Sequence, residues 1–234
     1  MDREHFSFIN VNKKYQYDEY SVLQNFNLSV AIGEKVSVFI DSQSGKTTVA
    51  KILLGLTDFQ SGEVNFLSNK LESVDIEHRN IAYISGRLLF FDKKSVYYNL
   101  SYPLQIRKIA DIPQRVKEQA EKFNLLSQLK TTVNALSAKD KVNLLLARAT
   151  IRNADLFIID DVEKFDKESY NAILEYALTL TSTVVILTSN IEQSTDNIIM
   201  VYDGKTERVT KEEVIRRISS DEILWLYDKT KEQC

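Results

Sequence analysis

Residues 35–48 read KVSVFIDSQSGKTT, and this stretch decides the fold. Its first part, Lys35–Ile40, alternates valine and isoleucine with other residues but also carries Phe39, which predicts a β-strand buried on both faces. Gly-Lys-Thr follows at 45–47, and Thr47–Leu54 is predicted to be a helix that ends at Gly55. A buried strand, a loop closing with Gly-Lys-Thr and a following helix are the parts of a P-loop phosphate site.

The loop therefore predicts binding of ATP with Mg2+. In the general P-loop pattern, loop amides surround the phosphates, the lysine reaches the terminal phosphates and the hydroxyl binds Mg2+. Thr47 is accordingly a predicted metal ligand. The predicted nucleotide-binding residues of the loop are Ser42, Ser44, Gly45, Lys46, Thr47 and Thr48.

One position departs from the pattern, because Ile40 stands where the first glycine of the loop is usual. A β-branched residue tolerates positive φ badly, so the loop is strained or reshaped if that position needs it. The alternative interpretation is that Lys46 is a solvated lysine at an ordinary helix start. Even then, the N-terminus of the helix attracts an anion.

A second acidic motif follows another apolar run. Leu156–Ile159 (LFII) predicts a buried strand, and it runs directly into Asp160 and Asp161. Asp160 is a predicted Mg2+ ligand, and Asp161 is placed to orient the attacking water. The alternative is that the pair only caps the turn that follows the strand.

Composition excludes several classes of protein. The 234 residues carry a net charge of −3, which predicts no attraction to nucleic acid. No apolar run approaches the roughly 18 residues that span a bilayer, and the N-terminus MDREHFSF lacks a secretion signal. The single cysteine, Cys234, excludes a disulfide within the chain, so a cytosolic location is expected.

Apolar periodicity predicts an α/β fold, with a mainly parallel sheet that binds ligands beyond its carboxyl edge. Residues 87–152 read as helical, and Val116, Ala120 and Phe123 share one helix face there. Ala138–Ile151 is apolar on most sides and is expected to be deeply packed. The other predicted elements are strands Phe6–Val11, Leu28–Ala31, Gly62–Leu67, Asn80–Ile84, Thr183–Thr188 and Asn197–Tyr202, and a helix at 168–180.

The chain resembles an ATP-binding cassette (ABC) transporter ATPase subunit over nearly its whole length. The resemblance lies in short motifs and their order. These are Leu136-Ser137 with Leu146–Ala149 for the signature helix, Leu156–Asp161 for the Walker B strand, Ile81–Ile84 before the Q-loop, Ser95–Leu100 (SVYYNL) beyond it, Thr183–Asn190 (TVVILTSN) for the switch strand, and Tyr202–Lys205 for a later turn.

The resemblance implies a P-loop core with an N-terminal antiparallel β layer and a helical subdomain. Residues 1–86 and 153–234 would form the core, and 87–152 the helical signature subdomain, of one domain spanning 1–234. It also implies that an aromatic residue near the N-terminus stacks on adenine. The matching position is Tyr15, with Tyr17 second, although either is equally a surface tyrosine.

The implied partners are transmembrane permease subunits and a second ATP-binding subunit, in a hetero- or homodimer on the inner face of the cell membrane. Asn99–Lys108 (NLSYPLQIRK) looks most like importer subunits for sugars or polyamines. A chain ending at Cys234 is expected to lack the C-terminal regulatory domain of those subunits. A partner helix is expected to dock beside Arg87–Leu100, whose aromatic residues are Phe90, Phe91, Tyr97 and Tyr98.

The motifs that serve hydrolysis in the resembled family all deviate here. Asp161 stands for the catalytic Glu and is one methylene shorter, and Ser189 stands for the switch His. Gly86 stands for the Q-loop Gln, and Gln43 for a second phosphate-loop glycine. The deviations favour an ATP-binding subunit with impaired hydrolysis. The alternatives are a pseudo-ATPase module whose nucleotide is structural or regulatory, and a slow homodimeric ATPase.

The signature LSGGQ of the family is replaced by LSAKD at 136–140. By resemblance, Ser137 and the helix-start amides would grip the γ-phosphate held by the dimer partner. Ser137 with Asp140 also fits a capping-box-like helix start, in which the serine satisfies backbone amides of its own helix. Both interpretations stay open from the sequence.

Overall fold

Strands and helices alternate along most of the chain. The computed structural model describes residues 3–40, 45–86, 89–161, 164–202 and 205–219. Within these ranges the strands are β1 (Glu4–Lys13), β2 (Leu23–Ala31), β3 (Lys35–Ile40), β4 (Ser61–Phe66), β5 (Asn69–Lys70), β6 (Ile81–Ser85), β7 (Leu156–Asp160), β8 (Thr183–Thr188), β9 (Asn197–Tyr202) and β10 (Lys205–Thr210). The α-helices are α1 (Lys46–Leu53), α2 (Val96–Ile106), α3 (Ile112–Lys122), α4 (Ala138–Thr150), α5 (Lys167–Thr179) and α6 (Lys211–Ser219).

The larger sheet has the strand order β10-β9-β3-β8-β7-β6. All its neighbouring strands are parallel except β9 and β10, which confirms the predicted mainly parallel sheet. In β3, Val36 to Ile40 are buried, as the apolar residues on both faces of the strand indicated. Because β3, β8 and β7 are parallel neighbours, the carboxyl ends of all three strands meet at one edge.

A second, antiparallel sheet has the order β2-β1-β4-β5. Its first two strands are longer than the apolar alternation predicted. The pairing of β1 with β2 continues to Lys13 opposite Leu23 through register shifts, and Asn10 and Asn25 adopt positive φ angles of 50° and 45° beside them. Such irregularities interrupt the period-2 pattern without ending the ladder, which explains why sequence periodicity ended β1 too early and began β2 too late.

The larger sheet, called the central sheet from here on, lies between two apolar clusters. One face packs with α1 against the antiparallel sheet, where Phe6, Phe8 and Phe66 are fully buried. The other face packs against α2, α3, α4 and α5. Val116 and Ala120 of α3 are buried there with nearby Phe123, and α4 buries six residues, as predicted.

The C-terminal part of the described chain contains elements that the sequence did not predict. β10 (KTERVT) has no fully buried residue and forms an edge of the larger sheet. α6 follows it and buries Val214, while Arg217 pairs with Glu207 of β10 and with Glu213. In the described part of the chain, no helix combines the length and apolar character needed to cross a membrane.

His5 lies buried between the two sheets. Its Nδ1 is 2.7 Å from Oγ1 of Thr183, which also accepts the amide hydrogen of Gly33. Its Nε2 is buried with no hydrogen-bond partner. Burial therefore lowers the pKa of His5 below 6.5, although the negative charge of Asp155 acts in the opposite direction.

This lowered pKa predicts a stability that falls with acidification. Below pH 6.5, the unfolded chain binds a proton at His5 that the folded chain resists, so the free energy of unfolding decreases as pH drops toward the folded pKa. The slope from one such group is at most about 1.4 kcal/mol per pH unit. Urea denaturation between pH 7.5 and 5.5 measures it, and His5→Gln should flatten the dependence.

The control is His78→Gln, since His78 is the other histidine and is exposed. This variant should keep the wild-type slope. An unchanged pH dependence in His5→Gln would show that His5 is not the responsible group.

Candidate functional site

The predicted site residues converge at the carboxyl edge of the central sheet. β3 leads to Gly45 and Lys46 at the start of α1, and β7 ends at Asp160. Between these two strands lies β8, which ends at Thr188 and is followed by Ser189. The parallel register thus brings Lys46, Asp160 and Ser189 to one place although they are far apart in sequence.

Gly45 begins α1 in the left-handed conformation, with a φ of 87°. A Cβ at this position would lie 2.6 Å from Cδ2 of Leu23 and 3.0 Å from the carbonyl oxygen of Val22. Glycine is therefore required by both backbone conformation and packing. The predicted phosphate-binding residues Ser42 and Ser44, together with Gln43, lie outside the described residues.

Ile40 does not carry the strain that a positive φ would impose. It is the last residue of β3, is fully buried and pairs with Val201 of β9. The side chain thus occupies an ordinary strand position in the core. The strain considered for the missing glycine does not arise at this residue.

Lys46 is almost completely buried, with 7% of its surface exposed. Its Nζ donates a hydrogen bond to Oγ of Ser189 at 2.7 Å. This contact argues against a solvated lysine at an ordinary helix start, because a buried ammonium group needs acceptors around it. Ser189, the residue at the switch position, therefore contacts the lysine of the phosphate loop.

Asp160 is fully buried at the end of β7. Its Oδ2 accepts a hydrogen bond from the Tyr83 hydroxyl at 2.8 Å, whereas its Oδ1 is buried without a hydrogen-bond partner. Burial raises the pKa of Asp160, and the charge of Asp161 adds to this effect. The interactions with Tyr83 and Thr47 and the charge of Lys46 act to lower the same pKa.

These residues fit a Mg2+ ion that is shared with a bound phosphate. Mg2+ is usually held in proteins by one or two carboxylates together with substrate phosphates and water. The unpartnered Oδ1 of Asp160, next to Thr47 and Lys46, supplies one such carboxylate oxygen. Within the described residues, no group of three or more His, Cys, Asp or Glu side chains forms a complete metal cage, so the phosphates would complete the ligand set.

Asp161 adopts a left-handed conformation, with a φ of 55°, directly after the strand. Its Oδ2 accepts a hydrogen bond from Nζ of Lys164 at 2.6 Å, so the two side chains form an ion pair. The carboxylate predicted to orient a water molecule is therefore held by a lysine three residues later in the chain. Sequence analysis did not identify Lys164.

Tyr15 lies beside the first turn of α1. Its hydroxyl is 3.2 Å from Oγ1 of Thr48, and the ammonium group of Lys13 lies 4.9 Å from the centroid of its ring. Tyr17, by contrast, is 93% exposed. The geometry thus favours Tyr15 of the two as the aromatic residue next to the phosphate loop.

Ser137 caps α4. Its Oγ accepts a hydrogen bond from the amide of Asp140 at 3.1 Å and donates one to the carboxylate of the same residue at 2.7 Å. The hydrogen bond from Ser137 is the largest contribution that lowers the pKa of Asp140. These contacts support the interpretation of Ser137 as a helix cap. Binding of a phosphate on a dimer partner by Ser137 stays a prediction.

An open groove of about 320 Å3 lies beside β6, the strand at one edge of the larger sheet. Phe90 packs on the guanidinium of Arg148, while Phe91 forms an aromatic cluster with Tyr98 and Tyr102. Arg87 falls outside the described residues. The lining residues are Ile81, Ala82, Tyr83, Leu89, Phe91, Tyr102, Pro103, Leu145, Arg148, Ala149 and Arg152.

Comparison with known protein families identifies the family of this chain. The family model described as "ABC transporter" matches residues 23–163, more than half of the 234-residue chain. The chain belongs to the ABC transporter family. The match contains the phosphate loop, the signature helix and the Walker B strand, and it confirms the predicted fold class and resemblance.

Curated relatives of this ABC chain include ATP-binding proteins for import. It is 27% identical to the trehalose import ATP-binding protein SugC of Mycobacterium tuberculosis (strain H37Rv), over 88% of this chain and 55% of SugC. It is 24% identical to the spermidine/putrescine import protein PotA of Desulfitobacterium hafniense, covering 89% of this chain and 62% of PotA. It is 27% identical to the sulfate/thiosulfate import protein CysA of Synechocystis, over 92% of this chain and 63% of CysA. The chain thus spans less than two thirds of each of these relatives.

Gly86, at the Q-loop position of this ABC chain, packs against the Walker B strand. Its amide donates a hydrogen bond to the carbonyl oxygen of Asp160 at 3.0 Å. A Cβ at residue 86 would lie 1.9 Å from the carbonyl oxygen of Asp161 and 3.0 Å from Cβ of Lys164. The backbone at 86 and 161 is therefore too close for any side chain at residue 86.

This close approach predicts that side chains at position 86 destabilise the fold. Gly86→Ala should lower the free energy of unfolding by about 1–3 kcal/mol, the usual cost of overpacking. Gly86→Gln should cost at least as much, because it introduces the same Cβ. Denaturant unfolding measures both values.

Gly33→Ala is the matched control, since nothing lies within 4 Å of a Cβ there. Its cost should reflect only its left-handed backbone, with a φ of 78°. A Gly86→Gln variant as stable as wild type would contradict the proposed collision.

Proposed function

We propose that this chain is the ATP-binding subunit of an ABC-type membrane importer. One observation carries the proposal: buried Lys46 and the unpartnered Oδ1 of buried Asp160 lie together at the sheet edge. A buried ammonium group and an unpaired carboxylate oxygen are costly in an apolar core, whereas a Mg2+-bound triphosphate would interact with both. The import functions printed in the names of SugC, PotA and CysA support the importer assignment.

The nucleotide would be held by the start of α1 and its surroundings. Gly45 exposes the first amides of the helix, where an anion is favoured by the helix dipole. Lys46 would exchange its contact with Ser189 for the terminal phosphates, and Tyr15 would lie beside the adenine. Lys13 already covers one face of the Tyr15 ring, so stacking would use the other face.

Thr47 and Asp160 would bind the Mg2+. The ion would neutralise phosphate charge and fix the orientation of the terminal phosphates. Before it binds, Oδ1 of Asp160 is a buried carboxylate oxygen without a hydrogen-bond partner. Nucleotide binding should therefore be strongly Mg2+-dependent.

Hydrolysis is proposed to be impaired. The carboxylate of Asp161 is one methylene shorter than glutamate and is paired with Lys164, so it is poorly placed to orient water. Ser189 lacks a ring that can reach the γ-phosphate, and Gly86 has no side chain at all. The ion pair between Asp161 and Lys164 also favours the second candidate, a pseudo-ATPase module with a regulatory nucleotide, over a slow homodimeric ATPase.

The proposed assembly contains a second ATP-binding subunit and membrane permease subunits. ATP would close the dimer, with Ser137 at the start of α4 facing the nucleotide of the partner. The groove between β6, α2 and α4 suits a docked permease helix, because apolar Leu89 and Phe91 line it beside the positive charges of Arg148 and Arg152. The subunit would then lie in the cytoplasm, on the inner face of the cell membrane, with residues 87–152 as its helical subdomain.

Nucleotide binding is tested with N-methylanthraniloyl-ATP and Mg2+. The wild-type chain should bind in the micromolar range, and Lys46→Ala should weaken binding by about tenfold or more, as expected for a charged hydrogen bond worth ~1.5–3 kcal/mol. Fluorescence titration gives both dissociation constants. Circular dichroism checks that the variant is folded.

Lys51→Ala provides the control, because Lys51 lies on the same helix and is exposed. It should bind like wild type. If the wild-type chain does not bind the probe, the proposed function fails.

Hydrolysis is tested by Asp161→Glu in a Lys164→Ala background. Displacement of a reacting group by ~1 Å can cost roughly 100-fold in rate, so the longer, released carboxylate should raise phosphate release by about tenfold or more. A phosphate-release assay under Mg-ATP measures the rate. The assay is repeated with co-purified partner subunits.

Asp161→Asn in the same background is the control and should give no increase. If the glutamate variant also gives none, the shortened carboxylate is not the main defect. Ser189 or the missing partner would then limit hydrolysis.

A further inference from the structure

Tyr83 stands next to the carboxylate of Asp160 on the neighbouring strand. β6 and β7 pair in parallel, with Tyr83 opposite Ile158 and Ser85 opposite Asp160. This register places Tyr83 two residue pairs before Asp160 and on the same face of the sheet, within diagonal reach of a long side chain. Its ring packs against the apolar cluster beneath α1, and its hydroxyl reaches Oδ2 at 2.8 Å.

The two carboxylate oxygens of Asp160 consequently have different surroundings. Oδ2 is occupied by the phenolic hydrogen bond, whereas Oδ1 is buried and has no hydrogen-bond partner. A buried acceptor without a partner is costly, so the asymmetry needs an explanation. The asymmetry is explained if the Tyr83 hydroxyl fixes the rotation of the Asp160 carboxylate so that Oδ1 stays available to a cation.

We propose that Tyr83 is a positioning residue for the Mg2+ site, whose hydroxyl holds Oδ2 of Asp160 and leaves Oδ1 for the cation that binds with the nucleotide. This inference rests on the proposed function and adds a residue to the same site. Tyr83 is not a metal ligand in this arrangement. It acts only through Asp160.

The Ser85 side chain supports this role. It forms a hydrogen bond with the Tyr83 side chain, in addition to the one between Tyr83 and Asp160. With the serine donating to the phenolic oxygen, the phenolic proton is left to point at Asp160. Ser85, Tyr83 and Asp160 thus form a chain of hydrogen bonds along the ends of two adjacent strands.

The test compares the Mg2+ enhancement of nucleotide binding in wild type and Tyr83→Phe. The enhancement is the dissociation constant of N-methylanthraniloyl-ATP in EDTA divided by that in excess Mg2+. Loss of an outer partner of a metal ligand typically costs about 10- to 100-fold in metal affinity. Tyr83→Phe should therefore reduce the enhancement by about tenfold or more, with the EDTA value unchanged.

Two further variants separate positioning from general damage. Tyr97→Phe removes a hydroxyl from partly exposed Tyr97 of α2 and should keep the wild-type enhancement. Asp160→Asn should abolish the enhancement, and adding Tyr83→Phe to it should change nothing more. A purely structural role for Tyr83 would instead weaken binding equally in EDTA and in Mg2+.

The outcomes distinguish the two proposals. If wild type binds the probe with Mg2+ enhancement and Tyr83→Phe has the same enhancement, the positioning role is overturned while the proposed function stands. If wild type does not bind the probe, both fail. Should Tyr83→Phe not fold, Ser85→Ala replaces it, and an unchanged enhancement in that variant overturns the positioning role.

Discussion

Asp160 places a carboxyl group among apolar strands with no exposure to solvent. A charge in such a position needs donors or a cation nearby, and its surroundings follow from that need. Tyr83 donates to one oxygen, Thr47 interacts with the same side chain and Lys46 supplies a positive charge. Because β6, β7, β8 and β3 are parallel neighbours in this order, these groups meet at one edge of the sheet.

Two further contacts lie at the same edge of the sheet. The backbone of Asp161 lies so close to Gly86 that there is no space for a side chain at the Q-loop position. The Asp161 carboxylate is in turn tied to Lys164. The contacts of Gly86, Asp161 and Lys164 therefore belong to one packing arrangement beside the ends of two adjacent strands.

The strands that form the site were predictable from sequence. β3 and β8 were predicted with the bounds that the structure gives, because strands buried on both faces appear as continuous apolar runs. The separate motifs at 45–47 and 160–161 indicated a shared edge, since parallel strands align their carboxyl ends. Lys46, Thr47 and Asp160 were named from these motifs, whereas Ser189 was named from the family resemblance.

Other features depend on tertiary contacts that no local pattern encodes. Tyr83 looks like an ordinary apolar strand residue until the register with β7 brings its hydroxyl to Asp160. The collision at Gly86 involves two segments separated by about 75 residues, too far apart for a local turn rule to apply. β10 was missed because an edge strand of polar residues lacks the apolar signal on which strand prediction relies.

The contact of Gly45 with the start of β2 extends the phosphate loop beyond the central sheet. Leu23 and Val22 lie directly against this glycine, so the antiparallel layer forms one wall of the turn that begins α1. The turn at the start of α1 therefore depends on contacts with both the parallel and the antiparallel sheet. A shortened version of the protein that kept only the parallel strands and α1 would lack the packing of Leu23 and Val22 against Gly45.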